Sequence, residues 1–164
     1  MIYFTADTHF GHENVIRFCS RPFSCAAEMD EALIANWNSR VKGNDTVYIL
    51  GDMFFRSVNF EEILKRLKGK KRLIVGNHDG SWMTQTDASR YFESIDKFLE
   101  TTDGQHALTL CHYPLLTWKH AGRSYIGPRA HPQRHEHGLL AFAGRSGPCA
   151  QRRRGHQRPD AGYL

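Results

Sequence analysis

Four times in the first 112 residues, a short apolar run stops at a carboxylate, an amide or an imidazole. Residues 2–6 (Ile-Tyr-Phe-Thr-Ala) lead into Asp7-Thr8-His9, and residues 46–50 into Gly51-Asp52. Residues 72–75 lead into Gly76-Asn77-His78-Asp79, and residues 105–110 into Cys111-His112. Runs of this length, with β-branched and aromatic content, predict strands. Between them, Ala26, Met29, Leu33, Ile34 and Trp37 recur at helical spacing and predict a helix over 23–41, with Ser24 as its cap. Ile63, Leu64 and Leu67 predict another over 60–67. Residues 92–102 and 105–110 alternate around Asp103-Gly104, which is a hairpin signal. The order β-α-β-α-β followed by a hairpin predicts an α/β domain with a mixed sheet. Trp37 and Phe18 are expected in its core, and Cys111 as a buried small residue.

In α/β sheets, ligands bind outside the carboxyl ends of the strands, so four strand ends would converge on one crevice. Carboxylate, imidazole and amide oxygen donors suit Mn²⁺, Fe and Zn²⁺ better than soft thiolates would. Asp7 and His9, two apart on an extended turn, can grip one ion. Asp52 can bridge two with its two oxygens, and Asn77 and His112 would complete a second shell. Two ions about 3.5–4 Å apart can generate a hydroxide and clamp an in-line displacement at phosphorus. His78, beside them, could protonate the leaving oxygen or steady phosphoryl oxygens. Taken singly, each piece also fits ordinary turn chemistry; it is the ordered set that points to a metal site.

That ordered set, Asp7-x-His9, Gly51-Asp52, Gly76-Asn77-His78-Asp79 and His112, resembles the calcineurin-like metallophosphoesterases over residues 2 to about 123. The resemblance implies a four-layer α-β-β-α sandwich with mixed sheets, here incomplete at the C-terminus. It implies two divalent ions, drawn from Mn, Fe, Zn, Ni or Mg, with Asp7 and His9 on the first, Asp52 bridging, and Asn77 and His112 on the second. His78 then assists phosphoryl transfer, and the substrate is a phosphodiester or a phosphomonoester. The stretch Thr5-Ala6-Asp7-Thr8-His9-Phe10-Gly11-His12-Glu13-Asn14 is similar to a small bacterial or phage branch. His12, Arg17 and Arg21 follow the first ligand loop and could contact phosphate; a solvated loop and helix face would look the same. There are two departures from the family pattern. Phe55 stands where the protein-phosphatase branch has the second Asp of Gly-Asp-x-x-Asp-Arg. No Gly-His-x-His follows His112; the nearest look-alike is His135-Glu136-His137, preceded by Arg134.

Composition changes sharply near Arg123. Residues 1–123 hold 15 Lys and Arg against 15 Asp and Glu, whereas residues 124–164 hold seven Arg against two acids. The whole net charge of +5 therefore lies in that tail, together with four of the six prolines. The domain is expected over 1–123, and the tail is read as a disordered extension, a basic arm or an out-of-frame segment. A basic arm gives the rival function, a non-catalytic nucleic-acid-binding protein. On the enzyme reading, nucleic acid is one possible substrate and is not expected as a stable partner. No apolar run is long enough to span a membrane, the N-terminus lacks a signal-peptide pattern, and the cysteines form no C-x-x-C pair, so the reading is cytoplasmic. The sequence leaves oligomeric state open.

The out-of-frame reading has a codon-level consequence. Gly127-Pro128-Arg129-Ala130-His131, read one base later, permits Gly-His-Val-His at the expected distance after His112. Residues 154–159 in the same frame permit Val-Asp-Ile-Asn-Gly, similar to the family's closing segment. The coding sequence is expected to spell both motifs in the shifted frame; sequencing it checks this, and codons incompatible with either one overturn the idea.

Overall fold

The computed structural model describes residues 1–118 and the backbone of 125–127. The elements, in order, are β1 (Ile2–Thr5), α1 (Glu13–Phe18), α2 (Ala26–Arg40), β2 (Thr46–Ile49), α3 (Phe60–Arg66) and β3 (Lys70–Ile74). They continue with α4 (Asp79–Met83), β4 (Ser94–Asp96), β5 (Phe98–Thr102), β6 (Ala107–Cys111) and β7 (Tyr125–Gly127). β1 to β4 pair side by side in chain order, all parallel. β5 and β6 form the antiparallel hairpin, and β7 joins β6 in parallel.

A parallel sheet made of crossovers is buried on both faces, which explains why the run Val47-Tyr48-Ile49-Leu50 is apolar throughout and not alternating. The pleat divides it. Val47 and Ile49 turn toward the helices with Met29, Leu33, Trp37, Ile63 and Leu64. Tyr48 and Leu50 turn the other way, toward Ile74 and Leu110, with Phe4, Leu99 and Leu108 packed alongside. The described residues thus form three layers: helices, parallel sheet and the three-stranded sheet. Tyr48 joins the two sheets, its hydroxyl lying 3.3 Å from Thr101 Oγ1. Among the described residues no helix is long and apolar enough to cross a membrane.

The structure corrects several expectations. Strand mixing falls in the second sheet and not in the first among the described residues. The run 92–102 is not one strand: β4 pairs with β3, and after Lys97 the chain crosses to the other sheet as β5. Apolar periodicity cannot signal such a handover because both pieces are extended. Two short helices, α1 and α4, lack the length for a visible period. Phe18 is exposed, since α1 buries Val15 and Ile16 and turns Phe18 away. Ser24 precedes the N-cap Cys25 and meets Glu28 instead, whose carboxylate accepts from its backbone N–H at 2.7 Å and from its hydroxyl. Tyr125–Gly127 of the expected tail pair with β6 as β7, and the rest of it, including His135-Glu136-His137, lies outside the described residues.

Leu110, 1% exposed, sits between the two sheets. Leu110→Ala leaves a cavity there and is expected to cost about 2–5 kcal/mol, measured by urea unfolding; an unchanged midpoint would mean the sheets do not pack through it.

Candidate metal centre

The parallel ladder does not stop where the strands do. Leu50 N–H donates to Thr5 O, and beyond it Asp7, His9 and Phe10 donate to Gly51, Asp52 and Met53 oxygens at 2.9–3.1 Å. The loops after β1 and β2 are therefore zipped together. Within them Asp7, His9 and Asp52 all adopt positive φ, 52°, 53° and 53°. Such non-glycine backbone costs about 1–3 kcal/mol per residue and persists only where surroundings enforce it. Here the cross-loop hydrogen bonds and two further clamps do so. Arg21 donates from its guanidinium to Asp7 O and Thr8 O, both at 2.8 Å. Asp30, on α2, accepts from Gly11 N–H at 3.0 Å. Arg21 thus has a loop-holding task that its place in the sequence did not signal, and Arg17 pairs with Asn14 on the surface.

Gly51 and Gly76 explain the glycines of the two motifs. Gly51 has φ +79°, and a Cβ there would strike His112 Nδ1 and lie 2.8 Å from Gly76 Cα. A Cβ on Gly76 would strike Asp52 Oδ1 and lie 2.6 Å from Asp52 N. The loops after β2 and β3 approach with no room for a side chain between them. Beneath this contact lies Asp79, wholly buried. Its Oδ2 accepts from Asp52 N–H at 2.9 Å and Gly76 N–H at 2.8 Å; its Oδ1 accepts from Met53 N–H at 2.9 Å and the Trp82 indole at 3.0 Å. The sequence quotes Asp79 inside its motif but gives it no role; an acid opening a short helix reads as an ordinary helix start.

Above the glycines the sequence-predicted ligands gather. Asp7, Asp52 and His112 each offer one donor atom, all within 4.8 Å of one another. Asp52 Oδ2 lies 3.6 Å from His112 Nε2 and 3.9 Å from the Nε2 atoms of both His9 and His78. His9 Nε2 is also 3.9 Å from Asp7 Oδ1, and Asn77 Oδ1 is 3.0 Å from His112 Nε2. All six residues named for metal and catalysis therefore face one cleft.

The donor chemistry fits a cation. A carbonyl only accepts, so His112 Nδ1 donates to Leu50 O at 2.8 Å. In the neutral ring this turns the Nε2 lone pair toward Asn77 Oδ1 and Asp52 Oδ2, a cluster of electron-rich atoms that a divalent ion would reconcile. Burial, then the positive charge of His12, Arg21, His78 and His112, lowers the His9 pKa to about 3. Its imidazole is neutral at ordinary pH and free to ligate.

His12 stands at the mouth, Nδ1 3.4 Å from His9 Nδ1. Its ring lies against Phe55, 4.0 Å between centroids, and Phe55 presents an edge to His78 at 4.8 Å. The position that the protein-phosphatase pattern gives to a carboxylate is here an aromatic wall. Burial, then the His78 charge and those of Arg21 and Arg56, lowers the His12 pKa.

Gly104 has φ +98° with nothing near a would-be Cβ, whereas Gly51 combines positive φ with the clash. Gly104→Ala is expected to cost about 1–2 kcal/mol, from strain alone. Gly51→Ala adds about 1–3 kcal/mol of overpacking. Urea unfolding of the two variants checks the difference; equal losses would show that the loops can separate freely.

Comparison with known proteins agrees with this geometry. The calcineurin-like phosphoesterase family matches residues 1–138, beyond the boundary expected at 123. An uncharacterized protein of Methanocaldococcus jannaschii is 46% identical over 81 residues, 48% of this chain and 46% of that one. The gene 66 protein of Mycobacterium phage L5 is 36% identical over 93 residues, 54% of this chain and 44% of that protein. The gene 66 protein of Mycobacterium phage D29 is 29% identical over 132 residues, 70% of this chain and 64% of that protein. The crystal structure of a protein of unknown function from Aquifex aeolicus superposes with a TM-score of 0.58 at 31% identity, covering 70% of this chain and 61% of that one. The chain thus spans about half to two thirds of the length of the relatives it matches. The phage relatives accord with the small bacterial and phage branch suggested by residues 5–14. With the family matched across most of its length, the chain belongs to the calcineurin-like phosphoesterases.

Proposed function

We propose that this chain is a two-metal phosphoesterase acting on a small phosphodiester or phosphomonoester in a cytoplasmic setting. The supporting observation is the convergence of Asp7, Asp52 and His112, from three strand ends, within 4.8 Å. Asp7 and His9 would hold one ion, Asn77 and His112 the other, with Asp52 shared. Bound there, divalent ions supply Lewis acidity and lower the pKa of a bound water.

The chain's own groups do the rest. Nδ1 of His112 is fixed by the Leu50 carbonyl, so its other nitrogen is presented to the cleft. His78 is anchored at its backbone, where its N–H donates to Asp52 Oδ1 at 3.0 Å. Its side chain remains 37% exposed, which lets the ring reach a leaving oxygen with a proton or a hydrogen bond. His12 at the mouth meets the outer phosphoryl oxygens. Phe55, with no carboxylate to offer His78, argues against a Ser/Thr protein phosphatase.

The absent Gly-His-x-His bears on rate. If residues from about 124 are out of frame, each ion loses an imidazole, and the chain binds metal weakly and turns over slowly. The thiols of Cys25 and Cys111 suit a reducing compartment.

Hydrolysis of bis-p-nitrophenyl phosphate tests the assignment. We expect slow, Mn²⁺-dependent turnover that EDTA removes and that Asp52→Asn lowers about a thousandfold, a loss of several kcal/mol in transition-state stabilisation. Turnover that survives Asp52→Asn sinks the assignment. Fast Mn²⁺-dependent turnover keeps it and removes the impaired-chain corollary.

A further inference from the structure

We infer that Asp79 is a positioning residue that sets the separation of the Asp52 and Asn77 loops and thereby the shape of the metal centre. This rests on the metal-site reading above. The Asp79 carboxylate accepts hydrogen bonds from four donors at 2.8–3.0 Å, three of them backbone N–H groups on the two ligand loops. Oδ2 bridges Asp52 N–H and Gly76 N–H, one from each loop. No other side chain among the described residues is seen to accept from both loops.

Position and chemistry explain why a carboxylate is needed. Asp52, the shared ligand, has positive φ, so its N–H points away from the ordinary parallel ladder. Gly76, across the gap, has its N–H close to the same point. Two buried donors facing one spot need one acceptor with spare lone pairs, and an ionised carboxylate supplies two such oxygens. Charge-assisted bonds of this kind are the stronger class. The Trp82 indole meets Oδ1 from the helix side, away from both ligand loops. Above it, the gap between the loops is too narrow even for a Cβ on Gly76, which would strike Asp52 Oδ1. Asp79 itself, with its oxygens engaged below the loops, acts through Asp52 and Asn77.

Asp79→Asn keeps the size but replaces one oxygen with a donor, so two N–H donors on one side face an N–H₂. Two measurements separate positioning from bulk stability. The first is amide hydrogen exchange without metal. In Asp79→Asn the Asp52, Met53 and Gly76 amides are expected to exchange faster, while those of Val47 and Leu73 in the strands stay protected. The second is calorimetric titration with Mn²⁺, where binding is expected to weaken about 10- to 100-fold. Trp82→Phe, which removes a donor outside both loops, is the comparison; it is expected to lower the unfolding midpoint while keeping Mn²⁺ affinity. If Asp79→Asn does not fold, Asp79→Glu, which keeps the charge and displaces the oxygens, is read in the same two ways.

The outcomes separate the claims. If Asp52→Asn abolishes Mn²⁺ binding and Asp79→Asn leaves it unchanged, the positioning role is overturned and the metal site stands. If Trp82→Phe weakens binding as much as Asp79→Asn, the effect is one of stability and the role is again overturned. If the unsubstituted protein takes up no Mn²⁺ and the loop amides still deprotect in Asp79→Asn, the metal reading fails while the link between the loops stands.

Discussion

Parallel pairing of β1, β2 and β3 is the constraint on which everything else rests. Parallel strands in register present their carboxyl ends on the same side, so loops distant in sequence begin from neighbouring points. The ladder then continues past the strands, from Leu50 N–H on Thr5 O to Phe10 N–H on Met53 O. Without that continuation, three candidate ligand residues at positive φ would relax into ordinary turns. The strained backbone is thus held by hydrogen bonds that begin as common sheet pairing. The same register keeps Gly51 over Gly76, and both motif glycines become a matter of contact distance.

The aromatic cluster beneath the loops completes the support. Phe54 packs edge-on against Trp82 at 5.1 Å, and Phe60 and Phe92 flank the indole. Phe54 and Trp82 are fully or almost fully buried. Their rings give the loops a stiff floor, and the indole N–H gives that floor one polar attachment, on Asp79. Stiffness matters at such a centre because ligand atoms must keep their spacing without an ion to hold them.

Much of this was legible in the chain itself. Strands β1 to β3 and helices α2 and α3 follow from apolar periodicity, and the candidate ligands were picked out by their place directly after apolar runs. Other features were hidden for physical reasons. The split at Lys97 leaves no mark because both halves of the run are extended. The guanidinium of Arg21 binds carbonyls, and any loop offers carbonyls, so no pattern of side chains announces it. Asp79 is unreadable for a similar reason: its partners are backbone N–H groups, which carry no sequence identity. His112 was readable as a candidate ligand, but the Leu50 carbonyl that sets its tautomer was not. Apart from β7, the Arg-rich tail, the basis of the nucleic-acid alternative, falls outside the described residues.

The crossing at Lys97 bears on how the molecule assembles. Everything up to β4 is built from neighbouring βαβ units, whose closure entropy is modest. His112 arrives on β6, in the other sheet, and reaches the cleft only after that hairpin has docked through Leu110. The donor cluster therefore exists only when the second sheet is docked on the first. An ion taken up there would act as a latch on the mature tertiary arrangement, favouring the docked form by mass action and leaving the undocked form unrewarded.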